Sequence, residues 1–307
     1  MVTCRHVWRD EDAVRERCAK LGVSVDIPRF DGQQLEEDDL IPILNDYDGI
    51  LAGDDLLTRR VLESSPRLKV ISKWGIGIDG IDLEAAEELG VGVFNTPGVF
   101  GEELADYAMG FIHMLARRQH EVSQKVKAGV WHRVRGVSLA GRVLGVVGLG
   151  SSGVALARRA EAASMSVVGY DIDQQRTVPG GDFVTFDELL RRSDVVSLHL
   201  PATRESKNLI DASSIARMKD GAWLVNTSRG AHVDEQALYE ALSSGKLGGA
   251  ALDVFQKEPV SRDNPLLQLD NVIAGSHNGS NTEEAVGRTT WLAVDNLMSG
   301  LGVGGAA

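Results

Sequence analysis

The sequence predicts an α/β protein of two units, each built from parallel strands joined by crossover helices. Three observations carry this expectation. Short β-branched runs alternate with helical patterns along most of the chain, the spacing that parallel strands require. The glycine cluster Gly148-Leu149-Gly150-Ser151-Ser152-Gly153 stands between a strand pattern and a helix pattern. Glycine is plentiful at 34 residues and proline scarce at 8, with no three-residue period, so the glycines belong to the turns of a layered fold and not to a linker or fibre.

In the first unit, strands are expected at Val23 to Ile27, Gly49 to Ala52, Leu68 to Ser72 and Val91 to Phe94. Helices are expected between them at Glu11 to Leu21, Thr58 to Ser64 and Asp82 to Leu89. This reads as a flavodoxin-like arrangement. Turn residues cluster at Asn95-Thr96-Pro97-Gly98, and a long helix from Glu102 to Arg118 follows, with Leu104, Ala108, Phe111, Ile112 and Leu115 on one face. Such a connector offers its apolar face either to the core or to a second copy of the chain. The second unit opens on the strand Arg142 to Val147. It continues as helix Ser151 to Ala163, strand Ser166 to Tyr170, helix Asp187 to Arg192, strand Asp194 to Leu198 and helix Asp211 to Lys219. Strand Ala222 to Asn226, helix Asp234 to Ser244, and strands Ala250 to Val254 and Asn271 to Ala274 complete it, and a last helix spans Thr282 to Ser299.

The 307 residues, 43% hydrophobic and 25% charged, are enough for one large or two medium domains. Residues 1–95 hold 20 acidic against 11 basic side chains, and the net charge of the whole chain is −12. With no basic stripe, the composition argues against nucleic-acid and anionic-membrane partners. The first residues lack the apolar core of a signal peptide and no window approaches a membrane span, so a soluble, cytoplasmic protein is expected. Cys4 and Cys18 form no disulfide framework and read as buried small hydrophobes.

The glycine cluster matches GxGxxG, a weak signal alone. Its context strengthens it: Asp171 lies 18 residues after Gly153, at the end of the next strand. Gly148 permits a tight turn, Gly150 lets backbone approach a pyrophosphate, and Gly153 lets helix and strand pack closely. The N-terminus of the helix, with Ser151 and Ser152, would receive the phosphates. Asp171 would accept hydrogen bonds from ribose hydroxyls and repel a 2′-phosphate, which favours NAD over NADP. Ser152 stands where many such loops carry an apolar residue.

Three titratable or charged residues follow strands of this unit: Arg229 in Asn226-Thr227-Ser228-Arg229-Gly230, Glu258 in Asp253-Val254-Phe255-Gln256-Lys257-Glu258-Pro259, and His277 in Gly275-Ser276-His277-Asn278-Gly279. Taken singly they read as a surface Arg, a loop Glu and a turn His. Together, at the strand ends where ligands of open α/β sheets collect, they suggest a catalytic set. A guanidinium can hold both oxygens of a carboxylate in a fork. An imidazole can give a proton to an alkoxide formed by hydride addition, and a carboxylate on its other nitrogen would orient it and favour the imidazolium.

With Lys73-Trp74-Gly75-Ile76-Gly77-Ile78-Asp79-Gly80-Ile81-Asp82, the glycine cluster, His199-Leu200-Pro201, Asn226 to Gly230, Asp253 to Pro259 and His277 in this order, the chain resembles the D-isomer-specific 2-hydroxyacid dehydrogenase family over about Leu51 to Ala285, in its phosphoglycerate dehydrogenase-like branch. The resemblance implies a Rossmann NAD-binding domain at residues 96–277. It also implies a smaller flavodoxin-like substrate domain made of residues 1–95 and completed by a returning helix within 278–307. It assigns Arg229, Glu258 and His277 to catalysis on a small D-2-hydroxy acid, with or without a phosphate or phosphonate, and its 2-oxo acid, places Asp253 at the nicotinamide amide and Thr227 along the cofactor, and sets Lys73, Trp74, Gly75 and Ile76 near the substrate carboxylate. It further implies a homodimer using the Glu102 to Arg118 helix and its surroundings.

One departure bears on substrate. Phosphoglycerate dehydrogenases commonly place an Arg-Ser pair where this chain has Gly53-Asp54-Asp55. A phosphate there would be repelled, which makes 3-phosphoglycerate a poor candidate. The tail ending in Gly302 to Ala307 is too short for a regulatory domain and is expected to fray. Two further readings of the same residues stay open: a non-catalytic NAD(H)-sensing protein related to corepressors of this fold, and an enzyme oxidising formate or phosphite.

Overall fold

The computed structural model describes residues 1–32 and 34–303, so Gly304 to Ala307 of the expected tail lie outside the described residues. The chain divides into two compact units, Met1–Val99 with Thr282–Ala307, and Phe100–Asn281. The expected boundaries after Asn95 and His277 thus fall a few residues later. Asn278 and Gly279 stay with the second unit because their N–H groups donate to the carboxylate of Asp253.

The first unit contains, after a 3₁₀ turn at Arg5–Asp10, α1 (Glu11–Lys20), α2 (Glu37–Leu44), β1 (Gly49–Ala52), α3 (Arg59–Glu63), β2 (Val70–Lys73), α4 (Leu83–Glu88) and β3 (Gly92–Phe94). The strands pair in parallel in the order β1-β2-β3. Val2 adds a parallel bridge to Leu51, and its N–H donates to Asp26 O at 2.8 Å. The extended stretches therefore lie side by side as residues 23–27, Val2, β1, β2 and β3, a flavodoxin-like order in which the second stretch of chain takes the edge. Val23 to Ile27 is nevertheless no strand. The carbonyl of Val25 is taken by Arg15 Nη1 at 2.7 Å, and Pro28 brings no N–H to extend a ladder. Helix α2 was not expected, since Pro42 lies inside it; Glu36 N donates to Asp39 Oδ2 at its start.

The second unit runs through α5 (Gly101–Arg117), α6 (Gln119–Lys127), β4 (Val143–Val147), α7 (Ser151–Ala162), β5 (Ser166–Tyr170), β6 (Gly181–Phe183), α8 (Phe186–Arg192), β7 (Val195–Leu198), α9 (Ala212–Arg217), β8 (Ala222–Asn226), α10 (Glu235–Ser243), β9 (Leu247–Leu252) and β10 (Val272–Ala274). All seven strands are parallel, in the order β10-β9-β8-β7-β4-β5-β6. This is the doubly wound Rossmann arrangement, and the direction of winding reverses between β4 and β7. One apolar layer joins α5 and α7 to the sheet through Ala105, Ile112, Leu144 and Leu156. The other joins α8, α9 and α10 through Leu189, Ile215, Leu224 and Leu238. Phe111, Ile112 and Leu115 of α5 are buried in the first of these layers, so that apolar face belongs to the core of its own unit.

The last helix, α11 (Glu283–Gly300), returns to the first unit. Its buried residues recur at helical spacing, Ala285, Val286, Thr289, Thr290, Ala293, Val294, Leu297 and Met298. A Cβ on Gly49 would come within 2.9 Å of Leu297, and one on Gly300 within 2.7 Å of Val70. Among the described residues no helix is long and apolar enough to cross a membrane.

Candidate active site

The carboxyl end of β4 leads into the glycine turn. Gly148 has φ +94°, and a Cβ there would sit 2.2 Å from His199 O; one on Gly153 would sit 2.0 Å from Gly148 O. Those two positions admit only glycine. Gly150 differs, because a Cβ added there meets nothing within 4 Å. Open space over Gly150, at the start of the twelve-residue helix α7, is what a pyrophosphate resting on the helix N-terminus needs. Asp171 follows β5, and its carboxylate accepts from Leu149 N at 2.7 Å and Asp173 N at 2.9 Å. It is thereby fixed beside the glycine turn, with lone pairs left for a ribose.

Thr227 supplies an independent sign of a ligand. Its hydroxyl is buried and has no hydrogen-bond partner, a state that costs about 1–3 kcal/mol unless a ligand or water completes it. The residues present thus fit a dinucleotide: a glycine turn with open space over Gly150, an open helix end, a placed carboxylate and an unfilled hydroxyl.

Beyond β8, the fully buried Asn226 shapes the next turn. Its Oδ1 accepts from Ser228 N at 3.1 Å and Ser228 Oγ at 3.0 Å, while its Nδ2 donates to Arg229 O at 2.8 Å. Arg229 Nη1 donates to Ser228 O at 2.8 Å. Next to it, a Cβ on Gly230 would come within 1.9 Å of the Phe255 carbonyl carbon. The Arg229 turn therefore abuts the segment that holds Glu258. This close approach was not anticipated from sequence, where Gly230 gave no turn signal beyond being glycine.

Glu258 and His277 meet. Glu258 Oε1 accepts from Phe255 N at 2.9 Å, and Oε2 lies 2.7 Å from His277 Nδ1, with both side chains close to 30% exposed. A proton on Nδ1 is thus directed to the carboxylate, which fixes the orientation of the ring. His277 has φ +56°, a left-handed conformation rare for a non-glycine residue and tolerated best by Asn, Asp and His. That conformation is stabilised from Asp253. The Asp253 carbonyl accepts from His277 N at 2.7 Å, and its carboxylate accepts from Asn278 N at 3.0 Å and Gly279 N at 2.8 Å. Asp253 is 1% exposed, and the phenol of Tyr107 beside it is pushed upward in pKa by burial and by this carboxylate. Holding the His277 loop is a role for Asp253 that sequence reasoning missed.

Of the other histidines, His232 is buried, with Nδ1 3.2 Å from Ser206 O and Nε2 3.1 Å from Leu200 O. His199 is buried with its ring between Ser197 Oγ at 2.8 Å and Ser152 Oγ at 3.2 Å. The Ser152 departure therefore makes a hydrogen bond where an apolar side chain would only pack.

Lys73, Trp74, Gly75 and Ile76 belong to the first unit, at the carboxyl end of β2. Lys73 is no solvated surface residue: its side chain is 10% exposed, and Nζ lies 3.1 Å from Asp54 Oδ1 and 2.7 Å from Trp74 O. Trp74 donates from Nε1 to Thr290 Oγ1 at 3.0 Å and stacks on His6 with centroids 4.2 Å apart. Trp74 N and Gly75 N donate to Ala52 O and Thr96 Oγ1. Asp55 is buried, and its carboxylate accepts from Thr3 Oγ1, Leu35 N and Gly53 N; burial pushes its pKa up against those hydrogen bonds.

The family model described as D-isomer specific 2-hydroxyacid dehydrogenase, NAD binding domain, matches residues 109–279. Hydroxypyruvate reductase of Thermotoga maritima is 38% identical over 276 residues, which is 88% of this chain and 90% of that protein. A D-3-phosphoglycerate dehydrogenase of Methanocaldococcus jannaschii is 42% identical over 258 residues, 82% of this chain, and the chain spans about half (49%) of that enzyme's length. Among solved structures, D-lactate dehydrogenase from Aquifex aeolicus, complexed with NAD and lactic acid, superposes with a TM-score of 0.87 at 29% identity, covering 97% of this chain and 94% of that one.

Proposed function

The chain belongs to the D-isomer specific 2-hydroxyacid dehydrogenase family, with NAD as the cofactor of its second unit, and from that premise we propose that it interconverts a small D-2-hydroxy acid and its 2-oxo acid. The observation that carries this reading is the 2.7 Å contact between Glu258 and His277 on a loop anchored by Asp253. Bound NAD supplies the hydride acceptor, and NADH the donor.

In this reading Arg229 grips the substrate carboxylate in a two-pronged fork, and its neighbour Gly230 keeps that turn against the Glu258 segment. His277 Nε2 gives its proton to the oxygen of the reduced carbonyl. In the reverse direction the neutral ring takes the hydroxyl proton. Glu258 orients the ring from Nδ1 and favours its protonated form, and Thr227 completes its hydroxyl on the cofactor. Trp74 N and Gly75 N are engaged inside their own unit, by Ala52 O and Thr96 Oγ1. Lys73, neutralised by Asp54, offers little to a phosphate, which favours an unphosphorylated acid.

A spectrophotometric panel tests this. NADH oxidation is expected with glyoxylate, hydroxypyruvate or pyruvate, at rates above those with a phosphorylated 2-oxo acid. Tight NADH binding with no turnover of any would replace the enzyme by a nucleotide sensor, and NAD reduction by formate or phosphite alone would move the chemistry to those donors. In the same titrations Asp171 should make NADH bind at least ~10-fold more tightly than NADPH, about 1.4 kcal/mol. Equal affinities would remove Asp171 from the ribose.

Glu258→Gln gives a pH signature. The amide still accepts from Nδ1–H but no longer stabilises the imidazolium, so the reducing form of His277 is lost at lower pH. The descending limb of the reduction pH–rate profile is expected to move to lower pH. A limb at or above that of the parent would separate the pair functionally.

The same proposal includes a homodimer. Since the apolar face of α5 is used internally, the support comes from its surroundings: α6 buries none of its residues, and Val126, Val130 and Trp131 are exposed, Trp131 at 85%. Light scattering should give twice the 33.0 kDa chain mass at micromolar concentration, and a single chain mass would remove the dimer. Both cysteines are free and buried, and burial pushes the Cys4 thiol up to about 12, which keeps it from reacting as a thiolate.

A further inference from the structure

His199 stands at the point where the winding of the second sheet reverses, and it touches the glycine turn three times. Its N–H donates to Val147 O at 2.7 Å, at the end of β4. Its carbonyl oxygen occupies the space a Gly148 side chain would need. Its ring Nδ1 lies 3.2 Å from Ser152 Oγ in the first turn of α7, while Nε2 lies 2.8 Å from Ser197 Oγ, a fully buried hydroxyl on β7. No step of the proposed chemistry uses this histidine.

The ring is costly where it is. Burial alone pushes its pKa down to about 4, so it is neutral under ordinary conditions. A neutral imidazole has one donor and one acceptor nitrogen, and each faces a hydroxyl that can take either role. Whichever nitrogen carries the proton, both hydrogen bonds can be made.

We propose that Ser197, His199 and Ser152 form a hydrogen-bonded relay that sets the position of the first turn of α7 against β7, and that His199 and Ser152 are thereby positioning residues for the dinucleotide. The physical case lies in what each link spans. The His199 peptide ties down the strand before the glycine turn, and its ring ties down the helix after it. The two ends of the turn are thus held by one residue. An apolar side chain at position 152 would fill space there but would fix neither direction nor distance, because packing is not directional and a hydrogen bond is. A helix N-terminus receives a pyrophosphate through several N–H groups at once, so a small displacement of that turn weakens all of them together. This inference rests on the NAD-binding assignment of the unit and adds to it the device that sets affinity.

The test uses the full chain with Ser152→Ala, Ser197→Ala, the double variant and Ser152→Thr. Three quantities are read: NADH dissociation constant by fluorescence titration, KM for NADH against kcat, and the thermal midpoint without nucleotide. Ser197→Ala should weaken NADH about 3- to 10-fold and raise its KM in step, with kcat within about twofold of the parent, as expected for loss of one buried hydrogen bond acting on binding, and Ser152→Ala should weaken NADH at least as much. Because the links act in series, the double variant should be no weaker than the worse single variant within about twofold, a non-additivity that independent packing defects would not show. Ser152→Thr, which keeps the hydroxyl, should recover parental affinity. Unchanged NADH affinity in Ser152→Ala, or a double variant whose weakening equals the product of the singles, would overturn the relay. Loss of thermal stability in Ser197→Ala with unaltered NADH affinity would do the same. Failure of the parent to bind NADH at all would instead strike the cofactor assignment.

Discussion

Replacing His277 by Asn is expected to lower kcat by roughly 10²-fold or more while leaving NADH affinity within about twofold of the parent. Asn is chosen for the backbone as much as for the side chain. At φ +56° it is among the residues that best tolerate the left-handed region, so the hydrogen bonds from the 277–279 loop to Asp253 should survive. What disappears is the proton. No other side chain takes its place on Glu258, whose Oε1 remains committed to Phe255 N. Steady-state reduction of the best 2-oxo acid, paired with NADH fluorescence titration, reads the two quantities separately. A kcat unchanged in the variant would remove His277 from the proton step.

The second large effect is expected at Arg229→Lys. The charge is kept and the fork is lost, so one of two charge-assisted hydrogen bonds to the substrate carboxylate goes unmade. At about 1.5–3 kcal/mol for such a bond, kcat/KM should fall by about 10- to 100-fold. Both KM and kcat should carry the loss, since a carboxylate held at one point leaves the carbonyl free to turn away from the hydride. The backbone of the turn should hold, because Asn226 Nδ2 bonds to the carbonyl at position 229, although the Arg229 Nη1 bond to Ser228 O is lost. Circular dichroism of the variant should match the parent, and thermal melting reads the cost of the lost bond. A kcat/KM within threefold of the parent would remove the fork.

How much of this was legible in the residues differs from element to element, for physical reasons. Strands β4, β5, β7 and β8 and helix α7 were readable because a buried parallel strand is a short apolar run and the glycine turn punctuates it. Helix α6 was missed because it buries none of its side chains, so it carries no apolar stripe to see. Strand β6 was missed because it is three exposed residues, Gly181–Phe183. Helix α2 was hidden by Pro42, and Val23 to Ile27 was over-read because β-branched residues mark extended backbone whether or not a ladder forms. In the site, the glycine turn and Asp171 follow from spacing along one stretch of chain. The setting of His277 by Asp253 does not. It depends on two strand ends being brought side by side, as does the contact of Gly230 with Phe255, and neither leaves a local pattern. Ser152 was noticed as an oddity, but its partner His199 lies just past the end of β7, far off in the chain.

Helix α11 has a consequence for how the protein folds. It supplies Ala293 O to Ser72 Oγ, Thr290 Oγ1 to Trp74 Nε1 and Asn296 Nδ2 to Asn95 O, so the small sheet is sealed by residues more than two hundred positions further along. The second unit is one contiguous stretch, Phe100–Asn281, whereas the first has to bring two distant stretches of chain together. Closing so long a loop carries an entropic cost that must be met before its contacts form. In refolding from denaturant the first unit is therefore expected to finish after the second, and a substitution that loosens α11 should slow the first without changing the second.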